Sequence, residues 1–505
     1  MVSEIRDKKD EVETLYHHAL SRNILISKEA LEFILFNGIS LKKVKDYLNE
    51  LPEGILSVDN LKELIQQTTT PSDQVEFEVL RTSTKHLAKN YEGSVKDIWT
   101  FNTDFESKTS VDNFLNYFRD RYKKIKSLLL QRNGVKNIVS IEKLKSHTFN
   151  ESVSIIAMIR EKDDYGKGSL RFLIEDDTDE IIAYVDEKIY DVAKNVVEDD
   201  VIALKGKLNA SKKYFIVEEI FYPDIPLPTN DSITKIEDPL TAAFISDLHF
   251  GSAQFIEKAM TRFLKWINSD DKDASRLKYL FILGDNVDGV GIYPDQEKEL
   301  LMKNIYDQYK AFEEFLLKIP EHIEIIVIPG NHDAVRLAEP QPILPEKYLE
   351  NAHKMKNIHF KTNPAFVEIH GRDSAKGIKV LMYHGYSFNA LIDTLTDIRK
   401  VARDKPTVVM KEILKRRHLA PIYGSTLIAP KEIDNHVIDV IPDIFASGDL
   451  HSHDVSNYKG VTLISASTWQ AQTSFQDRVG HVANPGKLTI VDLQQRNTRV
   501  IDLLG

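Results

Sequence analysis

The sequence predicts a multidomain α+β protein, with an N-terminal helical domain, a small β-barrel and a C-terminal α/β domain. The first observation is length, because 505 residues at about 150 residues per domain correspond to roughly three domains. The second is a change of hydrophobic period, from helical spacing in the N-terminal part to alternation after residue 135. The third is a C-terminal half in which apolar strand-like runs alternate with helical stretches, as in α/β domains.

Composition and charge restrict the class of protein. With 42% hydrophobic and 28% charged residues, the chain has the proportions of a soluble globular protein. The absence of cysteine excludes disulfides, thiolate zinc sites and a cysteine nucleophile. A net charge of -11 argues against a sequence-independent nucleic-acid coat, so contact with nucleic acid needs local basic patches or metal ions. The charged N-terminus and the lack of an apolar run of about 18 residues predict a cytoplasmic protein without a signal peptide or membrane helix.

Residues 1–67 are expected to form the small helical domain. Apolar residues repeat there at helical spacing in three short stretches, the first of which follows Ser27, a candidate N-cap. The run QQTTTPSD at 66–73 has the composition of a linker, and the polar residues after it show no clear period. We therefore predict a linker or tether over residues 68–110.

Residues 111–134 are predicted to form a basic amphipathic helix that leads into the barrel. Its basic side chains are Arg119, Arg121, Lys123, Lys124, Lys126 and Arg132. A solvated helix face is the simpler interpretation of this first basic patch, and contact with nucleic acid or a partner is the alternative.

Residues 135–228 are predicted to form a closed β-barrel of the oligonucleotide/oligosaccharide-binding type, the OB-fold. Five strand-like runs are separated by turn signals such as DDYGKG and NASKK, and a helix-like piece lies near 187–197. Such barrels bind single strands through exposed aromatic side chains. Few aromatic residues interleave with basic ones here, so an architectural role is at least an equal interpretation.

Residues 239–505 contain the candidate chemistry. Apolar runs such as TAAFISDLHF, YLFILGD and IEIIVIPGNHD end in polar residues of the kinds that bind metals, which predicts a site at the carboxyl ends of strands. Each motif alone is weak, because each residue can also be a turn or core residue, but the five in order are a specific signal. They are Asp247-Leu248-His249, Gly284-Asp285, Gly330-Asn331-His332, His384-Gly385 and Gly448-Asp449-Leu450-His451.

The residue types in these motifs suit a two-metal hydrolase. Two divalent ions about 3.5–4 Å apart can clamp the attacking and leaving oxygens of a phosphoryl transfer. They need a carboxylate that bridges them, with carboxylate, amide and imidazole ligands around each ion. Oxygen and nitrogen ligands without thiolate suit Mn, Fe(II) or Zn better than calcium.

The five motifs resemble those of the calcineurin-like metallophosphoesterase family. Within that family the chain is most similar to the small subunits of archaeal D-family DNA polymerases, in which a helical domain, an OB barrel and a phosphoesterase domain follow in that order. The resemblance covers about residues 111–505. The segments that support the subfamily are FRDRYKKI (118–125), KRRHLAPIYG (415–424), VIPDIFASGDLH (440–451) and STWQAQT (467–473).

The resemblance implies a role for each site residue. The implied ligands are Asp247, His249 and His451 for the first metal, Asp285 as the bridge, and Asn331, His384 and Asp449 for the second metal. His332 would be catalytic without being a ligand, because it would stabilise the pentacoordinate phosphorus or protonate the leaving oxygen. The resemblance also implies two divalent ions, with Mn or Mg preferred and Fe or Zn as alternatives. We expect Asp288 and Asp333 to orient the ligands.

One departure from the family pattern concerns the last motif, which is usually Gly-His-x-His. Here Asp449 stands in place of the first histidine, and it is a harder and charged ligand that favours Mn or Mg. An alternative register would use His451 and His453. We favour Asp449 because it keeps the spacing from Gly448.

A second basic patch lies within and just before KRRHLAPIYG. Its members are Lys411, Lys415, Arg416, Arg417 and His418. Given the resemblance, contact with nucleic acid or a partner is the preferred interpretation of this patch.

The favoured hypothesis is the small subunit of a heterodimeric archaeal replicative DNA polymerase that carries a metal-dependent 3′→5′ proofreading exonuclease. The implied partners are a large catalytic polymerase subunit and DNA with a 3′ end, either single-stranded or at a mismatched primer terminus. The N-terminal domain is a candidate contact for other replication proteins. The alternatives are a non-catalytic scaffold subunit and a stand-alone metallophosphoesterase, and the barrel and basic helix argue against the latter.

Overall fold

The computed structural model describes residues 86–505 except 102, 104–109, 147–150, 167, 212, 230–232, 373–374, 430 and 480–481, together with short stretches among the first 56 residues. The chain divides into two compact units, Met1–Thr84 and Lys85–Gly505. As the periodicity predicts, it is a mixed α+β chain with several sheets.

In the first unit the described residues include a pair of strands that the sequence does not predict. Strand β1 (Ile24–Ile26) pairs in parallel with β2 (Gly54–Leu56), and Val44 and Leu48 are helical and buried. A wholly helical domain over 1–67 is therefore wrong for these two segments, because apolar triplets are too short to show a strand period. Most of the predicted helices lie outside the described residues, as does most of the tether before residue 86.

The C-terminal part of the predicted tether is part of the fold. A 3₁₀ helix at Leu87–Asn90 buries Ala88, and β3 (Val95–Asp97) pairs antiparallel with β13 (Ala365–Ile369). The prediction of a tether over 68–110 is wrong here. Because an edge strand is held by main-chain hydrogen bonds, it needs no hydrophobic period.

The next part of the chain is a helix followed by a closed barrel. Helix α1 (Val111–Leu129) begins after Ser110, whose hydroxyl accepts from the Asn113 N–H, and it lies within the predicted span 111–134. The short helices α2 (Ile141–Ser146) and α3 (Tyr190–Ala193) precede the barrel and interrupt it. The barrel closes in the order β4-β5-β6-β8-β7. Its strands are β4 (Val153–Asp164), β5 (Leu170–Glu175), β6 (Glu180–Val185), β7 (Val201–Leu208) and β8 (Tyr214–Phe221).

Two six-stranded sheets form the remainder of the second unit. The first has the order β12-β11-β10-β9-β18-β19, and the second has the order β16-β17-β15-β14-β13-β3. The strands of the first sheet are β9 (Thr241–Ile245), β10 (Leu277–Leu283), β11 (Glu324–Ile328), β12 (Ile358–Phe360), β18 (Lys487–Asp492) and β19 (Thr498–Asp502). The other strands of the second sheet are β14 (Ile378–Met382), β15 (Ile444–Ser447), β16 (Asp454–Tyr458) and β17 (Val461–Ser465).

The sheets pack face to face between two layers of helices. Phe244 and Phe281 of the first sheet stack at 4.7 Å in the shared core, which Val367 and Val380 of the second sheet complete. Seven helices belong to this described part: α4 (Glu257–Ile267), α5 (Lys272–Ser275), α6 (Ile305–Leu317), α7 (Phe388–Thr394), α8 (Thr396–Arg399), α9 (Thr407–Arg416) and α10 (Ser474–Val479). Among the helices of the described residues, none combines the length and apolarity needed to cross a membrane.

Three members of the second basic patch are buried and paired, which corrects the prediction that this patch contacts nucleic acid. The Arg416 Nε lies 3.1 Å from an Asp200 carboxylate oxygen of the barrel, with the Tyr222 ring 5.2 Å from its guanidinium carbon. Arg417 donates to the carbonyls of residues 438 and 439 at 2.6 and 2.8 Å. The third, His418, lies 2.8 Å from Asp434. These cations therefore hold the fold together instead of presenting a basic surface.

A cluster of charged side chains joins α1 to the loop before β15. We call it the Asp434 cluster, and its members are Arg121, Glu339, His418, Asp434 and His436. Arg121 and His418 both donate to the same Asp434 oxygen at 2.8 Å, and His436 donates to Glu339 at 2.9 Å. All five side chains are buried. Arg121, predicted as part of an exposed patch, thus anchors α1 through a buried ion pair.

The Asp434 cluster predicts a loss of stability in acid. Burial, with the charge of Arg121 nearby, lowers the pKa of His418 to about 4 from 6.5. The geometry agrees, because the Ala420 N–H donates to His418 Nδ1, which must then be unprotonated. His436, whose pKa is raised to about 9 by Asp434 and Glu339 against burial, is a further cation facing this ring.

A group with a depressed folded-state pKa contributes stability above its unfolded pKa, and this contribution is lost as the pH falls through its folded pKa. We therefore expect the free energy of unfolding to fall by roughly 3 kcal/mol between pH 6.5 and pH 4 on account of His418. Urea titrations of the wild type and His418→Gln across this range check the expectation. The fall should be smaller in the variant by about that amount, and equal falls would contradict the assignment.

Candidate metal centre

The five motifs of the sequence lie at one edge of the sandwich. Each follows the carboxyl end of a strand, namely β9, β10, β11, β14 or β15. Strands β9, β10 and β11 are parallel neighbours in one sheet, and β14 and β15 are parallel neighbours in the other. Because carboxyl ends of parallel strands meet at one edge, the polar residues that follow them come together.

One half of the site is formed by Asp247, His249 and His451. The two histidine Nε2 atoms are 3.1 Å apart, and His451 Nε2 lies 3.3 Å from an Asp247 oxygen. His249 Nε2 lies 3.8 Å from Oδ2 of Asp285. These donor atoms could therefore surround a single ion.

The other half is formed by His384, Asn331 and Asp449. His384 Nε2 lies 3.0 Å from Asn331 Oδ1, 3.3 Å from Asp285 Oδ1 and 3.9 Å from Asp449 Oδ1. The two oxygens of Asp285 thus face different halves, as a bridging carboxylate requires. All seven residues predicted as ligands come together.

His332 and His453 lie differently. The His332 ring is beside the site, with Nε2 at 3.9 Å from Asp285 Oδ2, and its main-chain N–H donates to Asp285 Oδ1 at 2.8 Å. His453 is turned away, and its Nε2 is hydrogen-bonded at 2.8 Å to the Thr489 hydroxyl. The geometry thus favours the register that uses Asp449 over the one that uses His453.

The donor chemistry fits divalent cations. His384 Nδ1 lies 2.8 Å from the Leu283 carbonyl, which can only accept, so Nδ1 carries the proton. His384 Nε2 then presents a lone pair toward the oxygens of Asn331 and Asp285. Lone pairs facing one another at such distances repel unless a proton or a cation lies between them. The residues present therefore fit a metal pair.

Electrostatics at the site agree with this fit. Burial, with the charges of Asp285 and Asp247, raises the pKa of Asp449 to about 6. Burial also opposes ionisation of Asp285, yet His384 and His332 hold the pKa of its carboxyl far below the usual value. Three buried carboxylates at such short range repel one another, and divalent cations would relieve that repulsion.

The backbone at the site is strained where the ligands are placed. Five predicted ligands have left-handed φ angles between 48° and 66°: Asp247, His249, Asp285, Asp449 and His451. Such angles are uncommon outside glycine and concentrate at functional sites. Two of the motif glycines are required by close approach. A Cβ at Gly330 would lie 2.2 Å from an Asp285 oxygen, and one at Gly448 would lie 2.0 Å from the Ser246 hydroxyl.

Two further aspartates hold the ligands in place, in the positions that the sequence suggests. Asp288 Oδ1 lies 3.0 Å from His249 Nδ1, and the Asp288 carbonyl is 2.7 Å from His332 Nδ1. Asp333 accepts from the main-chain N–H groups of Gly330 and Asn286 at 2.9 and 3.2 Å. These bonds fix the rings and the loop that carries Asn331.

A cleft of about 150 Å³ opens onto the site. Five of its lining residues were not predicted as site residues, and they are Tyr293, Asn389, Gln470, Thr473 and Gln476. Gln470 and Thr473 belong to STWQAQT, so that segment carried a signal without a role. Gln476 lies 2.8 Å from His451 Nδ1, and Asn389 donates to Asp449 Oδ2 at 3.1 Å. These two had no signal in the sequence, because neither is part of a motif.

Residues 242–455 match the model of a family described as the B subunit of DNA polymerases alpha and epsilon, which defines the class of protein. The DNA polymerase II small subunit of Pyrococcus horikoshii is 38% identical over 79% of this chain and 63% of its own length, so the chain spans less than two thirds of that relative. The DNA polymerase II small subunit of Archaeoglobus fulgidus is 34% identical over 96% of both chains. The chain belongs to the DNA polymerase II small subunits, the small-subunit family of the archaeal D-family polymerases.

Among solved structures, one described as a novel archaeal phosphodiesterase aligns with 52% of this chain and 99% of its own. The identity is 14% and the TM-score 0.26. A TM-score this low carries no argument about fold or chemistry.

Proposed function

We propose that this chain is the exonuclease-bearing small subunit of a heterodimeric archaeal replicative DNA polymerase. It would be a two-metal phosphodiesterase that removes nucleotides from a 3′ end. The observation that carries the proposal is the convergence of seven oxygen and nitrogen donors, from five strand ends, in two halves that share Asp285. In this proposal the sandwich is a calcineurin-like phosphoesterase domain over 239–505, and the barrel is an OB-fold domain over 135–228.

The first metal would be held by Asp247, His249 and His451, and the second by Asn331, His384 and Asp449. Asp285 would bridge them. The chemistry that two bound divalent ions supply is neutralisation of charge on the scissile phosphodiester and activation of water. The ends of five strands hold the ligands more rigidly than a flexible loop would.

His332 is proposed to manage the proton of the leaving group. Its Nδ1 proton is fixed by the Asp288 carbonyl at 2.7 Å, so Nε2 is the atom that can donate toward the substrate. The ring borders the cleft, and its side chain keeps 15% of its surface exposed. A substrate phosphate in the cleft would therefore meet Nε2 of this ring.

The proposed partners are a large catalytic subunit and DNA with a 3′ end. The relatives are named small subunits of a polymerase, which supports a large partner. The cleft of about 150 Å³ suits one phosphodiester linkage better than a paired terminus, which supports a frayed or mismatched end as substrate. With a net charge of -11, the chain would attract DNA mainly through its metal ions and the large subunit.

Digestion of a mismatched primer tests the proposal. The chain bound to its large subunit is incubated with a 5′-labelled primer that ends in a 3′ mismatch, with Mn²⁺ or Mg²⁺ and without nucleotides. We expect stepwise shortening from the 3′ end that slows at the first matched pair and stops with EDTA. Electrophoresis of the labelled products measures the rate.

The large subunit alone is the control, and it should leave the primer intact. A complex that leaves the mismatched primer intact with every divalent ion would contradict the exonuclease and favour a scaffold subunit. Cleavage of a small phosphodiester without digestion of DNA would instead favour a general phosphoesterase.

A further inference from the structure

The two halves of the site differ in their donor atoms. The half built on Asp247 has two imidazole nitrogens, from His249 and His451, and carboxylate oxygens from Asp247 and Asp285. The half built on His384 has one nitrogen and three oxygens. Those oxygens come from Asn331, Asp285 and Asp449. The second half is therefore richer in oxygen because residue 449 is an aspartate.

The position of Asp449 is closely fixed. Asn389 donates to its Oδ2 at 3.1 Å, which leaves Oδ1 facing His384 Nε2 at 3.9 Å. Its main-chain N–H donates to the Asp247 carboxylate at 3.2 Å, and its φ is 66°. One oxygen is thus held by an amide while the other faces the donor atoms of the second half. This arrangement makes Asp449 a ligand through a single oxygen.

Oxygen-rich sites and nitrogen-containing sites differ in the ions that they favour. Imidazole nitrogen raises the affinity for Zn²⁺ relative to Mn²⁺, whereas carboxylate and carbonyl oxygens suit Mn²⁺ and Mg²⁺. We propose that Asp449 sets an unequal metal pair, in which the half built on His384 has a lower ratio of Zn²⁺ to Mn²⁺ affinity than the half built on Asp247. This inference rests on the proposed two-metal function. Given both ions, Zn²⁺ would fill the first half and Mn²⁺ the second.

Electron paramagnetic resonance of the metal-free full-length chain tests the inference without a nuclease assay. The chain receives one equivalent of Zn²⁺ and one of Mn²⁺. We expect the spectrum of a single uncoupled Mn²⁺, with electron spin echo modulation from one histidine nitrogen. In Asp449→His the Mn²⁺ that remains in this half should show two nitrogens. Competition calorimetry should show the Zn²⁺ to Mn²⁺ affinity ratio of this half rising by roughly tenfold or more.

Three further variants complete the test. His453→Ala is the matched control, because His453 is turned away from the site, and it should match the wild type. Asp449→Asn keeps the shape but removes the charge, so Mn²⁺ affinity of this half should fall while the nitrogen count stays at one. Asn389→Ala should lower Mn²⁺ affinity about tenfold by freeing the Asp449 carboxylate. Circular dichroism shows whether each variant is folded, and Asp449→Asn serves if Asp449→His is not.

The two proposals fail in different ways. An unchanged nitrogen count and affinity ratio in Asp449→His, in a chain that digests DNA, would overturn the unequal pair alone. Mn²⁺ with two nitrogens in the wild type would also overturn it. The expected spectra in a complex that never digests DNA would overturn the exonuclease and leave the unequal pair standing.

Discussion

Replacing Asp285 with asparagine is expected to lower the rate of primer digestion by about 10³-fold or more, which is roughly 4 kcal/mol of transition-state stabilisation. The reason is its place between the halves, with one oxygen 3.3 Å from His384 Nε2 and the other 3.8 Å from His249 Nε2. Asparagine keeps an oxygen that can accept from the His332 N–H but loses the charge and one of the two oxygens. Single-turnover digestion of a mismatched primer measures the loss.

Asp295→Asn is the matched control for this prediction. Asp295 is a neighbouring aspartate whose side chain is 62% exposed and paired with Lys298, so its loss should leave the rate unchanged. Both variants should bind the large subunit as the wild type does, which gel filtration of the complex checks. Digestion at the wild-type rate by Asp285→Asn would show that the nuclease lies elsewhere.

Much of the site could be predicted because its ligands follow strands. The runs before Asp247, Asp285 and Asn331 are apolar enough to be recognised as buried strands, and parallel strands place their ends at one edge. A resemblance to a known family then distinguished ligands from ordinary turn residues. The same reasoning separated Asp449 from His453 through spacing alone, and the structure agrees by turning His453 toward Thr489.

Other features could not be predicted because their signals are not local. Strand β3 is recruited by the edge of a sheet more than 250 residues away in the chain, and three residues contain no usable period. Asn389 reaches Asp449 only through the packing of α7. Buried arginines are the clearest failure, because Arg121 and Arg416 were counted as surface charge while their carboxylate partners lie far away in sequence. Composition and charge patterns cannot show which cations are paired inside.

Replacing Asp434 with asparagine is expected to destabilise the second unit by about 3–5 kcal/mol, because it leaves buried cations without their carboxylate. The Arg121 side chain is 1% exposed and donates to Asp434 at 2.8 Å, and the Asp434 side chain is fully buried. The Arg121 guanidinium also donates to the Pro421 carbonyl, which does not supply a compensating charge. The effect should be concentrated in α1, since Arg121 is the residue by which this helix enters the cluster.

Hydrogen exchange of the α1 amides, together with urea unfolding, measures this destabilisation locally and globally. The matched control is Arg160→Ala, which removes an ion pair of similar length, 2.6 Å to Glu180, between side chains that are about half exposed. Because solvent screens exposed pairs, that variant should lose less than about 1 kcal/mol. Equal losses in the two variants would mean that burial adds nothing to the Arg121 pair. Faster exchange throughout the sandwich but not in α1 would mean that Asp434 supports its own loop and not the helix.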